Sequence, residues 1–92
     1  MPLSVEFRIA ETHGFRKTIG KRDYSGIYDK VVAYVYPQLR SNPFYGPNIK
    51  KLRGEFDGVY RYRIGSFRLF YTIESLKVIV FVLGIEKRKD SY

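Results

Sequence analysis

The chain has 92 residues, 45% hydrophobic and 17% aromatic, with no cysteine, one histidine and a formal net charge of +8. It is one domain, 1–92, with a modest aromatic-rich core. Its composition excludes a disulfide framework and thiolate chemistry, and a single histidine argues against a metal site, so no cofactor is expected. Positive charge on this scale favours a polyanionic partner, nucleic acid first, over the plainer reading of a merely soluble basic domain.

No 18-residue apolar run is long enough to span a membrane, and the first residues lack a signal-peptide pattern, so a cytoplasmic protein is expected. Residues 3–9 alternate, with Leu3, Val5, Phe7 and Ile9 on one side and Ser4, Glu6 and Arg8 on the other, the pattern of a half-buried strand. A short helix is predicted from Thr12 to about Arg22, with Thr12 as its N-cap and Gly20 near its end. His13 then reads as an exposed helix-end residue and not a catalytic one. Asp23 is expected to cap a second helix whose apolar stripe is Ile27, Val31, Tyr34 or Val35, and Leu39. Pro37 lacks an N–H and biases Tyr36 away from helical geometry, so this helix is expected to end or kink near Tyr36 and continue as a loose turn through Ser41. Residues 41–49 are turn chemistry throughout and are predicted as a loop.

A basic cluster comes next, Lys50-Lys51-Leu52-Arg53-Gly54, and then a hairpin over residues 58–73. A two-residue turn at Gly65-Ser66 pairs Ile64 with Phe67, Arg63 with Arg68, Tyr62 with Leu69 and Tyr60 with Tyr71. One face then carries Tyr60, Tyr62, Ile64, Phe67, Leu69, Tyr71 and Ile73, which is a core face. The other carries Arg61, Arg63 and Arg68 beside Phe70 and Thr72. After a turn at residues 74–77, the apolar run from Val78 to Ile85 suits a central strand buried on both sides. The last residues, Glu86 to Tyr92, are charged and end on an aromatic.

The predicted class is α+β, in the order β-α-α-β-β-β, with a largely antiparallel sheet and both helices on one face. The arginine face is left open. Like charges directly across two strands oppose folding, and a good cross-strand pair is worth only roughly 0.2–1 kcal/mol. Stability gives no reason to gather three arginines there, whereas an anion does. The cluster of Lys50, Lys51 and Arg53 beside them extends the same phosphate-contact reading.

The sequence resembles the RelE/ParE superfamily of bacterial and archaeal toxins, and within it the RelE-like ribosome-dependent mRNA endonucleases. The resemblance rests on Asn42-Pro43, Lys51-Leu52-Arg53-Gly54, Tyr60-Arg61-Tyr62-Arg63-Ile64-Gly65, Phe67-Arg68-Leu69-Phe70-Tyr71 and the stretch from Lys87 to Tyr92. It implies a toxin with a RelE-like fold, whose basic concave sheet face receives mRNA in the ribosomal A site and whose cognate antitoxin neutralises it. It implies site roles for Arg61, Arg63, Arg68, Arg88 and Tyr92, with Lys50, Lys51, Arg53, Lys87 and Phe70 as RNA contacts. Many relatives carry histidine where Lys87 stands, which leaves two alternatives: a ParE-like inhibitor of DNA gyrase, and a non-catalytic RNA-binding relative.

RNA is cut without metal when its own 2′-hydroxyl attacks the adjacent phosphate. The protein must take that proton, stabilise a dianionic transition state and protonate the leaving 5′-oxygen. Guanidinium forks suit the second task and make poor bases. Tyr92 is assigned to the 2′-hydroxyl or to base stacking, and Arg88 to the leaving group. With no strong base, much of the rate must come from orientation, which supplies roughly 7–11 kcal/mol in favourable cases. A ribosome presenting a bent mRNA would provide it.

Overall fold

The computed structural model describes residues 5–88. Five strands form one sheet in the order β1-β5-β4-β3-β2. They are β1 (Arg8–Glu11), β2 (Ile49–Lys51), β3 (Val59–Ile64), β4 (Phe67–Glu74) and β5 (Ile79–Lys87). All neighbours are antiparallel except β1 and β5, which run parallel. The hairpin has the predicted register throughout, including Arg63 opposite Arg68. Gly65 supplies a positive φ of 57° at the first turn position, as a tight hairpin turn of the primed type demands.

Helices cover one face of the sheet. Helix α1 (His13–Ile19) starts at Thr12, whose side chain accepts a hydrogen bond from the Phe15 amide, and ends at Gly20. His13 is exposed on its first turn. The second helical segment differs from expectation. Asp23 lies in a 3-10 turn (Arg22–Tyr24), and the helix begins instead after Gly26, whose φ of 85° breaks the chain direction. Helix α2 (Ile27–Lys30) runs into a π turn (Val31–Val35) and then into α3 (Tyr36–Ser41). The helix therefore does not stop at Tyr36. The Tyr36 amide reaches back five residues to the Val31 carbonyl, and this wider turn accommodates Pro37, which has no N–H to give. The same widening lets Val35 and Tyr36, adjacent in sequence, both point inward, while Tyr34 is exposed.

Three further expectations are revised. Within the described residues the first strand spans Arg8–Glu11 and not 5–9, residues 3 and 4 of the expected strand lying outside them: Val5 is exposed, while Phe7 and Ile9 pack against the core as their alternation foretold. The expected loop through residue 49 and the basic cluster after it hide the edge strand β2, which pairs with β3 and gives the sheet a fifth strand. Strand β5 is internal but not buried on both sides. Val80, Val82 and Ile85 face the core, and Leu83 is 39% exposed on the other face. A bulge makes this possible: Phe70 pairs with Gly84 and Tyr71 with Val82, leaving Leu83 as the extra residue. The Thr12 hydroxyl, which donates to the Val82 and Leu83 carbonyls at 2.8 and 3.2 Å, fastens α1 to this bulge.

The core comprises Phe15, Ile27, Val31, Val35, Tyr36, Leu39, Tyr62, Leu69, Tyr71, Val80, Val82 and Ile85. Two of its three phenols, Tyr36 and Tyr71, end on acceptors. The Tyr71 hydroxyl donates to the Pro43 carbonyl at 2.7 Å, and the hydroxyls of Tyr28 and Tyr36 both donate to Glu11 Oε2 at 2.7 Å. Asn42-Pro43 thus has a structural job. The Asn42 side chain accepts from the amides of Phe44 and Tyr45, folding the loop so that Pro43 caps Tyr71.

Candidate nucleic-acid interface

Alternation along β3, β4 and β5 brings two rows of side chains to the uncovered face. The first is Lys50, Arg61, Phe70 and Gly84, one from each of four adjacent strands; the second is Arg63, Arg68 and Glu86. Rows on one face of a strand lie about 7 Å apart, and neighbouring strands about 4.8 Å. The three hairpin arginines therefore share one patch. The stems of Arg61 and Arg68 lie against the sheet, and the Nε of each is buried without a hydrogen-bond partner among the described residues. Such donors are costly to strand.

Arg68 has company that the sequence reading misses. Its Nη2 lies 2.9 Å from Glu86 Oε1, in a half-exposed ion pair with side chains 34% and 51% exposed. In the sequence, Glu86 is only the first residue of a charged tail. Counting along β5 without the bulge turns it towards the helices; only the extra residue at Leu83 brings it to the open face.

The remaining candidates divide by face. Arg88 is exposed, and its amide donates to the Ser66 carbonyl, which anchors it beside the hairpin turn. Lys87 pairs with Phe67 and so falls on the opposite side from Arg68; its amide donates to the Tyr24 hydroxyl on the helical side. Lys51 pairs with Tyr60 and is likewise of the helix-side parity, on the exposed edge strand. Lys87 and Lys51 therefore do not join the arginine rows. Arg53 lies beyond β2, where it lines a broad depression with Lys50, Lys51 and Asp57. Tyr92 lies outside the described residues.

The open face is not uniformly basic. Leu52, Phe56, Val59, Phe70, Leu83 and Glu86 line a groove of about 440 Å³, and Phe56 is 56% exposed beside it. Phe70 is thus shared between an arginine row and an apolar groove. Nothing in the local pattern of residues 52–59 announces this, because the groove is assembled from three separate segments.

A family model described as the ParE toxin of type II toxin-antitoxin systems, parDE, matches residues 16–92. The chain belongs to this family. The toxin is similar in structure to the toxin-antitoxin complex RelBE2 from Mycobacterium tuberculosis, with a TM-score of 0.76 and 26% identity over 91% of this chain and 100% of that one. It also resembles the isolated Escherichia coli RelE toxin, with a TM-score of 0.61 and 23% identity over 92% and 87% of the two chains. The archaeal RelE-RelB complex from Pyrococcus horikoshii OT3 matches with a TM-score of 0.58 and 20% identity over 94% and 99%. No curated protein matches the toxin significantly in sequence. Its fold is that of RelE-like toxins, as the resemblance implied, and the RelE/ParE superfamily assignment stands.

Proposed function

We propose that this toxin is a ribosome-dependent endoribonuclease that cuts mRNA by metal-independent attack of a 2′-hydroxyl and so blocks translation. The observation that carries the reading is the gathering of Arg61, Arg63 and Arg68 on the sheet face opposite α1, α2 and α3. Guanidinium groups in two rows can hold a phosphate through paired hydrogen bonds while its charge grows in the transition state. Arg88, beside the hairpin turn, serves the leaving group in this scheme, and Tyr92 the 2′-hydroxyl or a base. Lys50 and Phe70, in the Arg61 row, contact neighbouring backbone and bases, and Arg53 extends the basic path. The partner is a cognate antitoxin, as in the RelBE2 and RelE-RelB complexes, and the site of action is the cytoplasmic ribosome.

The test compares cleavage of one mRNA with and without translating ribosomes. Cleavage confined to the ribosome supports the reading, and equal rates defeat its ribosome dependence. Arg63→Ala, an exposed substitution, should abolish growth inhibition and leave the fold intact.

The apolar groove favours a second reading, a ParE-like inhibitor of DNA gyrase, because a surface of leucine, valine and phenylalanine suits a protein target better than a phosphate backbone. Induction of the gene separates the two: translation falls first in one case, DNA replication in the other.

A further inference from the structure

We propose that Glu86 is the general base of the reaction, held in place by Arg68; this rests on the endoribonuclease reading above. Three observations lead there. Guanidinium groups cannot take the 2′-hydroxyl proton, so the arginine rows supply charge without a proton acceptor. Glu86 is the carboxylate that β5 sets in the same cross-strand row as Arg63 and Arg68. Its Oε1 is engaged by Arg68 at 2.9 Å, which aims the carboxyl group, and half of its side chain is open to solvent. A carboxylate has a second oxygen, Oε2, and that atom is the acceptor assigned here, which leaves base stacking to Tyr92.

In the first half of the step the 2′-O–H bond breaks and its proton passes to Glu86 Oε2. The freed electron pair forms the 2′-O–P bond, with Arg63 and Arg61 facing the phosphate oxygens. The P–O5′ bond breaks, and the leaving oxygen, its charge offset by Arg88, takes a proton from water. The resulting hydroxide recovers the proton from the Glu86 carboxyl group. The products are a 2′,3′-cyclic phosphate and a free 5′-hydroxyl. The plainer alternative makes Glu86 a counterion that merely masks Arg68, and it predicts the opposite result on mutation.

The experiment uses full-length toxin, programmed ribosomes and an mRNA with one mapped cut site. Glu86→Gln keeps the size of an exposed side chain and removes the base. Single-turnover cleavage should fall by about 10²- to 10⁴-fold, the usual worth of a general base, with apparent affinity for the programmed ribosome unchanged. Glu86→Ala should regain part of its rate when sodium formate is added, because a small carboxylate can enter the space left. A rate for Glu86→Gln equal to or above wild type, or tighter ribosome binding at higher turnover, overturns the assignment and makes Glu86 a mask. Wild-type toxin that leaves the mRNA intact overturns the endoribonuclease reading itself, and the role of Glu86 falls with it.

Discussion

Single side chains set both the strength of this fold and its response to pH. Burial, and then the hydrogen bond to Glu11, push the Tyr36 phenol well above its ordinary value near 10, and burial does the same to Tyr71. A phenol is neutral when protonated, so the folded state keeps its proton to higher pH than the unfolded chain does. Stability contributed by these groups is complete below about pH 10 and is lost as pH rises beyond it, by up to about 1.4 kcal/mol per pH unit for each phenol. Tyr36→Phe should cost roughly 1–3 kcal/mol at pH 7, where it removes a bond to a carboxylate. It should also flatten the alkaline fall, so urea titrations at pH 7 and 10.5 should show the two proteins converging. Much at this scale was legible: Thr12, Gly20 and the whole hairpin register come from residue type and period two. Glu11 as a shared acceptor for two tyrosines was not, since those tyrosines lie 17 and 25 residues away.

At the scale of elements, departures from regular geometry decide where side chains point. The π turn before Pro37 and the bulge at Leu83 each insert one residue into a regular period, and each re-aims the residues downstream. Pro37 reads as a helix end because a regular α turn cannot do without its N–H, and β5 as doubly buried because its apolar run is unbroken; neither signal registers an inserted residue. Edge strand β2 is hidden for another reason: a strand of three residues with two lysines has too little alternation to register. The turn into β5 holds a strained point, Val78, with φ of 57° in a region that β-branched residues avoid. Its carbonyl accepts from the Arg8 amide at 2.9 Å, so the strain helps to place β1. Val78→Asn, a residue that tolerates this conformation, should stabilise the protein by about 1 kcal/mol and raise its Tm by about 4–8 °C in a thermal melt.

For the whole molecule the net charge is +8, and four of its cations, Lys50, Arg61, Arg63 and Arg68, share the open face, which makes that face a candidate interface. Affinity for a single-stranded RNA should fall linearly as salt rises on logarithmic axes, the slope steepening by roughly 0.7 for each phosphate contacted. Arg61→Ala and Arg63→Ala should each lower that slope by about this amount, whereas Phe56→Ala, in the apolar groove, should leave it unchanged; fluorescence anisotropy over a salt series measures all three. Net charge announces a polyanion from composition alone. That the same face also carries a greasy trough comes only from the tertiary meeting of Leu52, Phe56, Val59, Phe70 and Leu83.

The bulge at Leu83 also keeps oil and charge on their proper sides at the far end of β5. Were the ladder to continue from the Tyr71–Val82 pair without it, Ile85 would stand against Arg68 in water and the Glu86 carboxylate would be driven opposite Phe67, beneath the helices. One surplus residue swaps the two back, so the strand's tail is wired to the arginines by an irregularity and not by its spelling.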